Sequence, residues 1–138
     1  ADAIRASSGT TVITNSGLID STASANRAIN LNSDLTTVTS FQVINKSGGI
    51  IQSLDDAIRI TGSAGTATTS GSFVLDNSGT IQTLGTGSGQ AIDWRDLGSA
   101  NATVRIINRA TGIISAADND AIRPGLNTVI ENYDIEIA

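Results

Sequence analysis

The sequence predicts an all-β protein, a right-handed parallel β-helix of about five coils with three short strands in each coil. Two repeated features predict it: an Ala-Ile pair that returns five times, and an alternating apolar segment that ends each time in Asn. The copies lie about 30 residues apart, within the range of solenoid repeats. Short extended segments without an amphipathic helix indicate a β-helix, and parallel crossovers are almost always right-handed.

The first strand of each coil begins at the Ala-Ile pair. The tetrapeptide Asp-Ala-Ile-Arg occurs three times, and two variants fill the intervening coils. Like residues stack on like when consecutive coils lie about 4.8 Å apart. The isoleucines therefore form a predicted inward column, Ile4, Ile29, Ile58, Ile92 and Ile122. The next inward column is Ala6, Leu31, Ile60, Trp94 and Pro124. Because proline lacks an N–H, the last position predicts an irregular fifth coil.

The second strand of each coil ends in asparagine, at Asn15, Asn45, Asn77, Asn108 and Asn132. Side chains alternate along a strand, so these amides share the inward face with the apolar residues two positions earlier, Ile13, Val43, Leu75, Ile106 and Ile130. An amide both donates and accepts hydrogen bonds, which predicts an asparagine ladder along the stack. The glycines that follow are expected to supply positive φ at the bend.

The third strand follows those glycines, at residues 17–19, 49–51, 79–81, 112–114 and 135–137. The second and fourth coils carry a two-residue extension after the asparagine, which preserves the inward face because the side-chain period is two. Spacing varies at another corner, so we expect insertions there, at residues 32–40, 61–72 and 95–102.

Charged residues flank each Ala-Ile pair in alternating order. The preceding position is occupied by Asp2, Arg27, Asp56, Gln90 and Asp120, and the following one by Arg5, Asn30, Arg59, Asp93 and Arg123. Neither column places like charges next to each other. We therefore expect small exposed pairings between coils, of about 0.2 to 1 kcal/mol each.

The composition excludes several function classes. The chain has no Cys and no His, and its net charge is −5, without basic runs. We therefore expect no enzyme activity, no cofactor, no metal site and no nucleic-acid partner. Asp118-Asn119-Asp120 lacks the glycine and distal glutamate of a calcium loop and is interpreted as a turn. No run of about 18 apolar residues is present, so the segment is not expected to be embedded in a membrane.

Residues 12–19 and 74–81, together with the Asp-Ala-Ile-Arg starts, resemble the degenerate repeats of Gram-negative autotransporter passenger domains. The resemblance covers the whole chain and implies that residues 1–138 are one β-helix segment of a longer passenger, secreted or displayed at the bacterial cell surface. It implies a role in adhesion or self-association. The implied partners are host-cell or neighbouring-cell surface molecules, or further copies of the chain.

Two alternatives remain open. Parallel β-helices also include pectate lyases, so a polysaccharide-binding or polysaccharide-degrading protein is the natural rival, with a candidate site at Asp93, Trp94, Arg95 and Asp96. A tryptophan beside carboxylates can stack on sugars, although the inward register of Trp94 favours core packing. A phage tailspike segment is the third possibility, and it predicts an obligate trimer.

Overall fold

The chain forms a stack of short parallel strands in a computed structural model. The structure describes residues 1–61, 70–133 and 137–138. The strands of the first two coils are β1 (Ile4–Ala6), β2 (Gly9–Asn15), β3 (Leu18–Ser21), β4 (Ile29–Asn32), β5 (Val38–Asn45) and β6 (Ile50–Ser53). The later strands are β7 (Ile58–Thr61), β8 (Ser72–Asn77), β9 (Thr80–Thr83), β10 (Ile92–Asp93), β11 (Thr103–Asn108), β12 (Ile113–Ala116), β13 (Ile122–Arg123) and β14 (Val129–Asn132).

Each coil contributes one strand to each of three parallel sheets. Sheet A has the order β1-β4-β7-β10-β13, sheet B the order β2-β5-β8-β11-β14 and sheet C the order β3-β6-β9-β12. This topology confirms the predicted parallel β-solenoid. The predicted columns are also in register, since Ile29 pairs with Ile4 and Ile58, and Val43 pairs with Ile13 and Leu75.

The predicted number of coils is slightly wrong. The described residues form four complete coils, and the fifth consists of β13 and β14. Its predicted third strand, residues 135–137, lies mostly outside the described residues, with Ile137 alone forming a bridge to Ile114. Strand β13 ends at Arg123, directly before Pro124, which has no N–H to donate to a ladder.

The core is a continuous apolar column inside the three sheets. Phe41, Phe73 and Trp94 are completely buried, and the rings of Phe41 and Trp94 meet edge to face with centroids 6.5 Å apart.

The corner between sheets A and B tolerates length variation, as expected. In the second coil it holds a short 3-10 helix, Leu35–Thr37, whose first turn is capped by the Asp34 carboxylate. The expected insertion at 61–72 lies largely outside the described residues.

An unbroken chain of side-chain hydrogen bonds joins the five coils at the corner between sheets B and C. Each asparagine donates through Nδ2 to Oδ1 of the asparagine in the next coil, over 2.9 to 3.0 Å, in the order Asn15, Asn45, Asn77, Asn108, Asn132. The first four amides also donate to a carbonyl of their own turn, at Gly17, Gly49, Gly79 and Gly112. The ladder therefore ties neighbouring coils and their turns together.

Three turn glycines, Gly49, Gly79 and Gly112, are required for close backbone approach, and the expected positive φ is found in this corner only at Gly48. A Cβ added at Gly79 would lie 2.2 Å from the carbonyl oxygen of Gly49, and one at Gly112 would lie 2.6 Å from that of Asn77. The positive φ in this corner belongs to Gly48, at 81°, within the two-residue extension of the second coil.

Replacing Asn77 with alanine tests the ladder. The substitution leaves Asn45 Nδ2 and Asn108 Oδ1 without their side-chain partner in a buried corner, so we expect a loss of about 3 kcal/mol in the free energy of unfolding. Urea denaturation followed by circular dichroism measures it. The control is Asn101→Ala at an exposed position, expected to change stability by less than about 0.5 kcal/mol. Equal effects at both positions would contradict a stabilising ladder.

Candidate functional site

The three Asp-Ala-Ile-Arg tetrapeptides form the same ion pair within the motif. The arginine guanidinium lies 3.1 Å from the carboxylate in Arg5–Asp2, 3.2 Å in Arg59–Asp56 and 3.0 Å in Arg123–Asp120. The sequence predicted pairing between coils. Such pairing occurs, since Arg27 lies 3.2 Å from Asp55 of the following coil, but the Asp-Ala-Ile-Arg charges pair within their own motif because only two residues separate them.

The aspartates also bind the following coil. Asp2 accepts the Arg27 backbone N–H at 3.2 Å and the Asn30 amide at 2.9 Å. Asp56 accepts the Gln90 backbone N–H at 2.9 Å. The carboxylate thus replaces a backbone acceptor at the start of the next strand. Composition and spacing gave no signal for this contact, since it depends on the exact turn geometry.

Asp56 and Asp93 are buried, contrary to the expected exposed pairing. The desolvation that accompanies burial raises the pKa of Asp56, and the neighbouring negative charges of Asp55 and Asp93 raise it further. The Gln90 N–H and the Arg59 guanidinium oppose the rise. The Asp56 carboxyl group is therefore harder to ionise than that of an exposed aspartate.

The candidate carbohydrate site is divided between the core and the surface. Asp93 and Trp94 are buried, Arg95 is exposed, and Asp96 is half-buried. The Arg95 guanidinium lies 3.6 Å from the Asp93 carboxylate, so the charges are paired. The Trp94 ring offers no face to a sugar, and no cavity forms around these residues in the described part of the chain.

A charged cluster that the sequence did not predict lies on the outer face of sheet B. We call Asp76, Arg105, Arg109, Glu131 and Tyr133 the outer cluster. Arg109 donates to both oxygens of Asp76, at 2.9 and 2.8 Å, while Glu131 accepts from Arg105 and from the Tyr133 hydroxyl. The hydrogen bond from Arg109 lowers the pKa of Asp76, and that from Arg105 lowers the pKa of Glu131. These carboxylates therefore stay ionised at neutral pH.

Apolar side chains border the outer cluster on the same face. Val12, Val74 and Val129 point outward in one column, and Val12 and Val129 are 57% and 52% exposed. Ile107 also points outward, in register with Asp76 and Glu131 on the neighbouring strands, but it is only 5% exposed. The face thus offers both apolar surface and fixed charges, a combination common at protein interfaces.

The outer face of sheet C carries a second side-chain ladder. Gln82 donates to Gln52 at 2.9 Å, and Gln52 donates to Asp20 at 3.1 Å. The bond from Gln52 lowers the pKa of Asp20. The sequence contained a signal for this ladder, because each of the three residues lies three positions after the turn glycine of its coil.

Among the described residues, no helix has the length and apolar character needed to cross a bilayer, and no three carboxylates gather as metal ligands. Comparison with family models, with curated proteins and with solved structures found no match to this chain.

Fluorescence of Trp94, the only tryptophan, tests its burial. We expect blue-shifted emission that iodide barely quenches, because the ring is completely buried. Oligosaccharides should leave the emission unchanged. The emission of the urea-denatured chain gives the reference for an exposed tryptophan. Strong iodide quenching of the folded chain, or a saturable response to a glycan, would reopen the carbohydrate hypothesis at this residue.

The dependence of stability on pH tests Asp56. Its pKa in the folded chain is above the ordinary value of 3.8, so the folded state loses stability as the pH rises through the folded pKa. In Asp56→Asn this loss is absent, while the amide oxygen still accepts the Gln90 N–H. Between about pH 4 and pH 7 the stability of this variant should therefore rise relative to the unmodified chain, measured by urea denaturation.

The control for Asp56 is Asp118→Asn, at an exposed position. Its stability relative to the unmodified chain should change less over the same pH interval. An Asp56→Asn variant whose relative stability falls or stays level as the pH rises would contradict the burial argument.

Proposed function

We propose that this chain is a surface-displayed structural segment whose outer faces mediate adhesion or lateral self-association. The observation that carries the proposal is the outer face of sheet B, where exposed valines border the outer cluster. The outward column alternates valines with Gln42 and Arg105, so apolar and polar groups are interspersed along the face, and outward apolar side chains have no role in the core. The role is structural and adhesive, without catalysis.

The stack itself suits a display segment. Each coil contacts the coils before and after it through three sheets and through the asparagine ladder. Because a solenoid grows by adding equivalent coils, it can carry an exposed face far from its anchor. The repeats that resemble autotransporter passengers support secretion and display at a bacterial surface.

A partner for this face would cover the valines with apolar groups and form ion pairs with the charged side chains of the outer cluster. A second copy placed antiparallel on the same face could pair its arginines with Asp76 and Glu131. Host-cell or neighbouring-cell surface molecules with acidic and apolar groups are the other candidates. The polysaccharide alternative would depend on Arg95 and Asp96, since Trp94 and Asp93 are buried.

Bead aggregation tests the proposal. Beads coated with the chain should aggregate with one another or adhere to epithelial cells, and Arg109→Ala should reduce whichever binding is observed by about tenfold, because it removes the bidentate ion pair of the outer cluster. The matched control is Arg5→Ala, which removes an exposed arginine paired to an aspartate on sheet A. It should bind as the unmodified chain does.

Three outcomes would contradict the proposal. The first is that coated beads neither aggregate nor adhere. The second is equal loss in Arg109→Ala and Arg5→Ala while both variants keep the same circular dichroism spectrum. The third is binding confined to a glycan array and abolished by Asp96→Ala, which would favour the polysaccharide alternative.

A further inference from the structure

The outer face of sheet C carries no charge across the second, third and fourth coils. Every second residue of its strands points outward, and backbone hydrogen bonds from Leu84 to Ser53 and from Ala117 to Thr83 extend the ladder by one further outward residue. The outward residues form three columns: Ile50, Thr80 and Ile113, then Gln52, Gln82 and Ser115, then Leu54, Leu84 and Ala117. By contrast, the described ion pairs lie on sheets A and B or at the corner between sheets C and A.

This face is both ordered and largely apolar. Gln82 donates to Gln52 and Gln52 donates to Asp20, so the side chains of the central column are already held in place, while Leu84 in a flanking column is 47% exposed. Ordered side chains lose little conformational entropy when a partner packs on them. Depletion of charge is typical of the centre of a protein interface. In a chain of net charge −5, two copies can approach through this face with little repulsion.

Opposite charges border the face on its two sides. Lys46 and Arg109 lie in the turns at which the strands of the even coils, the second and the fourth, begin, and the carbonyl of each accepts the N–H of the turn glycine, over 2.8 and 2.9 Å. Asp55 and Asp118 follow the same two strands at their far ends. Each even coil therefore has a cation on one border of sheet C and an anion on the other.

Two such faces can meet through a two-fold axis in two ways. An axis along the strands brings the cationic border of one copy against the cationic border of its partner. An axis along the stack brings the start of each strand against the end of the same strand in the partner, so Lys46 meets Asp55 and Arg109 meets Asp118. We propose that the outer face of sheet C binds the same face of a second copy in this second way, with the two stacks parallel. The spacing of about 4.8 Å between coils is common to both copies, so their side-chain rows interdigitate in every coil.

The area of the face sets the strength of the pairing. Four strands about 4.8 Å apart, each with five residues of about 3.3 Å, present about 300 Å² per copy, whereas stable complexes bury about 800 Å² per partner. Pairing of two chains of this length is therefore weak, and it increases with each coil that takes part. One contact opposes it, because the central column lies on the axis and the two Asp20 carboxylates face each other. Parallel stacks suit copies displayed side by side on one surface.

Sedimentation velocity of the full chain tests the pairing. The unmodified chain should form dimers at about 1 mM, as an interface of this size allows. Lys46→Glu and Asp55→Lys each place like charges across both borders of a homodimer, so each alone should weaken association by about tenfold. An equimolar mixture of the two variants restores opposite charges at both borders and should associate as the unmodified chain does. The matched control is Arg95→Glu, which makes the same change in net charge as Lys46→Glu at an exposed position outside sheet C and should weaken association far less.

A variant that strengthens the pairing separates it from damage to the fold. Asp20→Asn removes the repulsion on the axis while its amide oxygen still accepts from Gln52, so association should tighten about threefold. Circular dichroism verifies that every variant folds. No dimer at about 1 mM, equal weakening by Lys46→Glu and Arg95→Glu, a mixture of folded variants that stays monomeric, or weaker association of Asp20→Asn would each overturn the proposal. Bead aggregation that depends on Arg109 without any dimer in solution would leave the outer face of sheet B as the adhesive face and overturn the pairing through sheet C alone.

Discussion

The hydrogen bond from each ladder asparagine to the asparagine of the next coil is the contact on which the rest of the structure depends. It fixes the corner between sheets B and C, where both the strand end and the turn are held by one amide. The backbones approach so closely there that only glycine fits at positions such as Gly79. Length at this corner therefore changes only by the two-residue extension of the second and fourth coils, whereas larger variation is found at the corner between sheets A and B.

In sheet A, carboxylates and not amides connect neighbouring coils. Asp2 and Asp56 each form an ion pair with the arginine of their own motif and accept a backbone N–H from the next coil, so a charged group takes the place of a backbone carbonyl. Burial makes this costly at Asp56, where desolvation raises the pKa. The arginine in the motif and the N–H of the even coil offset that cost. A repeating unit of two coils follows from this asymmetry.

The sequence was sufficient to predict the fold class, the three strands of each of the first four coils and the inward columns, because these depend on periods of two and about 30 residues. It did not predict the outer cluster. Asp76 and Arg109 are 33 residues apart and become neighbours because Asn108 pairs in register with Asn77. The burial of Asp56 and the close approach at Gly79 were missed for a related reason, since both arise from the distance between coils.

Stacking within the repeat constrains the residues of the inward columns but not those of the outward columns. The inward column of sheet B reads Ile13, Val43, Leu75, Ile106 and Ile130, where stacking demands similar residues. The outward column beside it reads Val12, Gln42, Val74, Arg105 and Val129, where nothing in the repeat demands these choices. Residues that the repeat cannot explain are the ones free to respond to a partner. The functional specificity of this chain should therefore be sought in its outward columns.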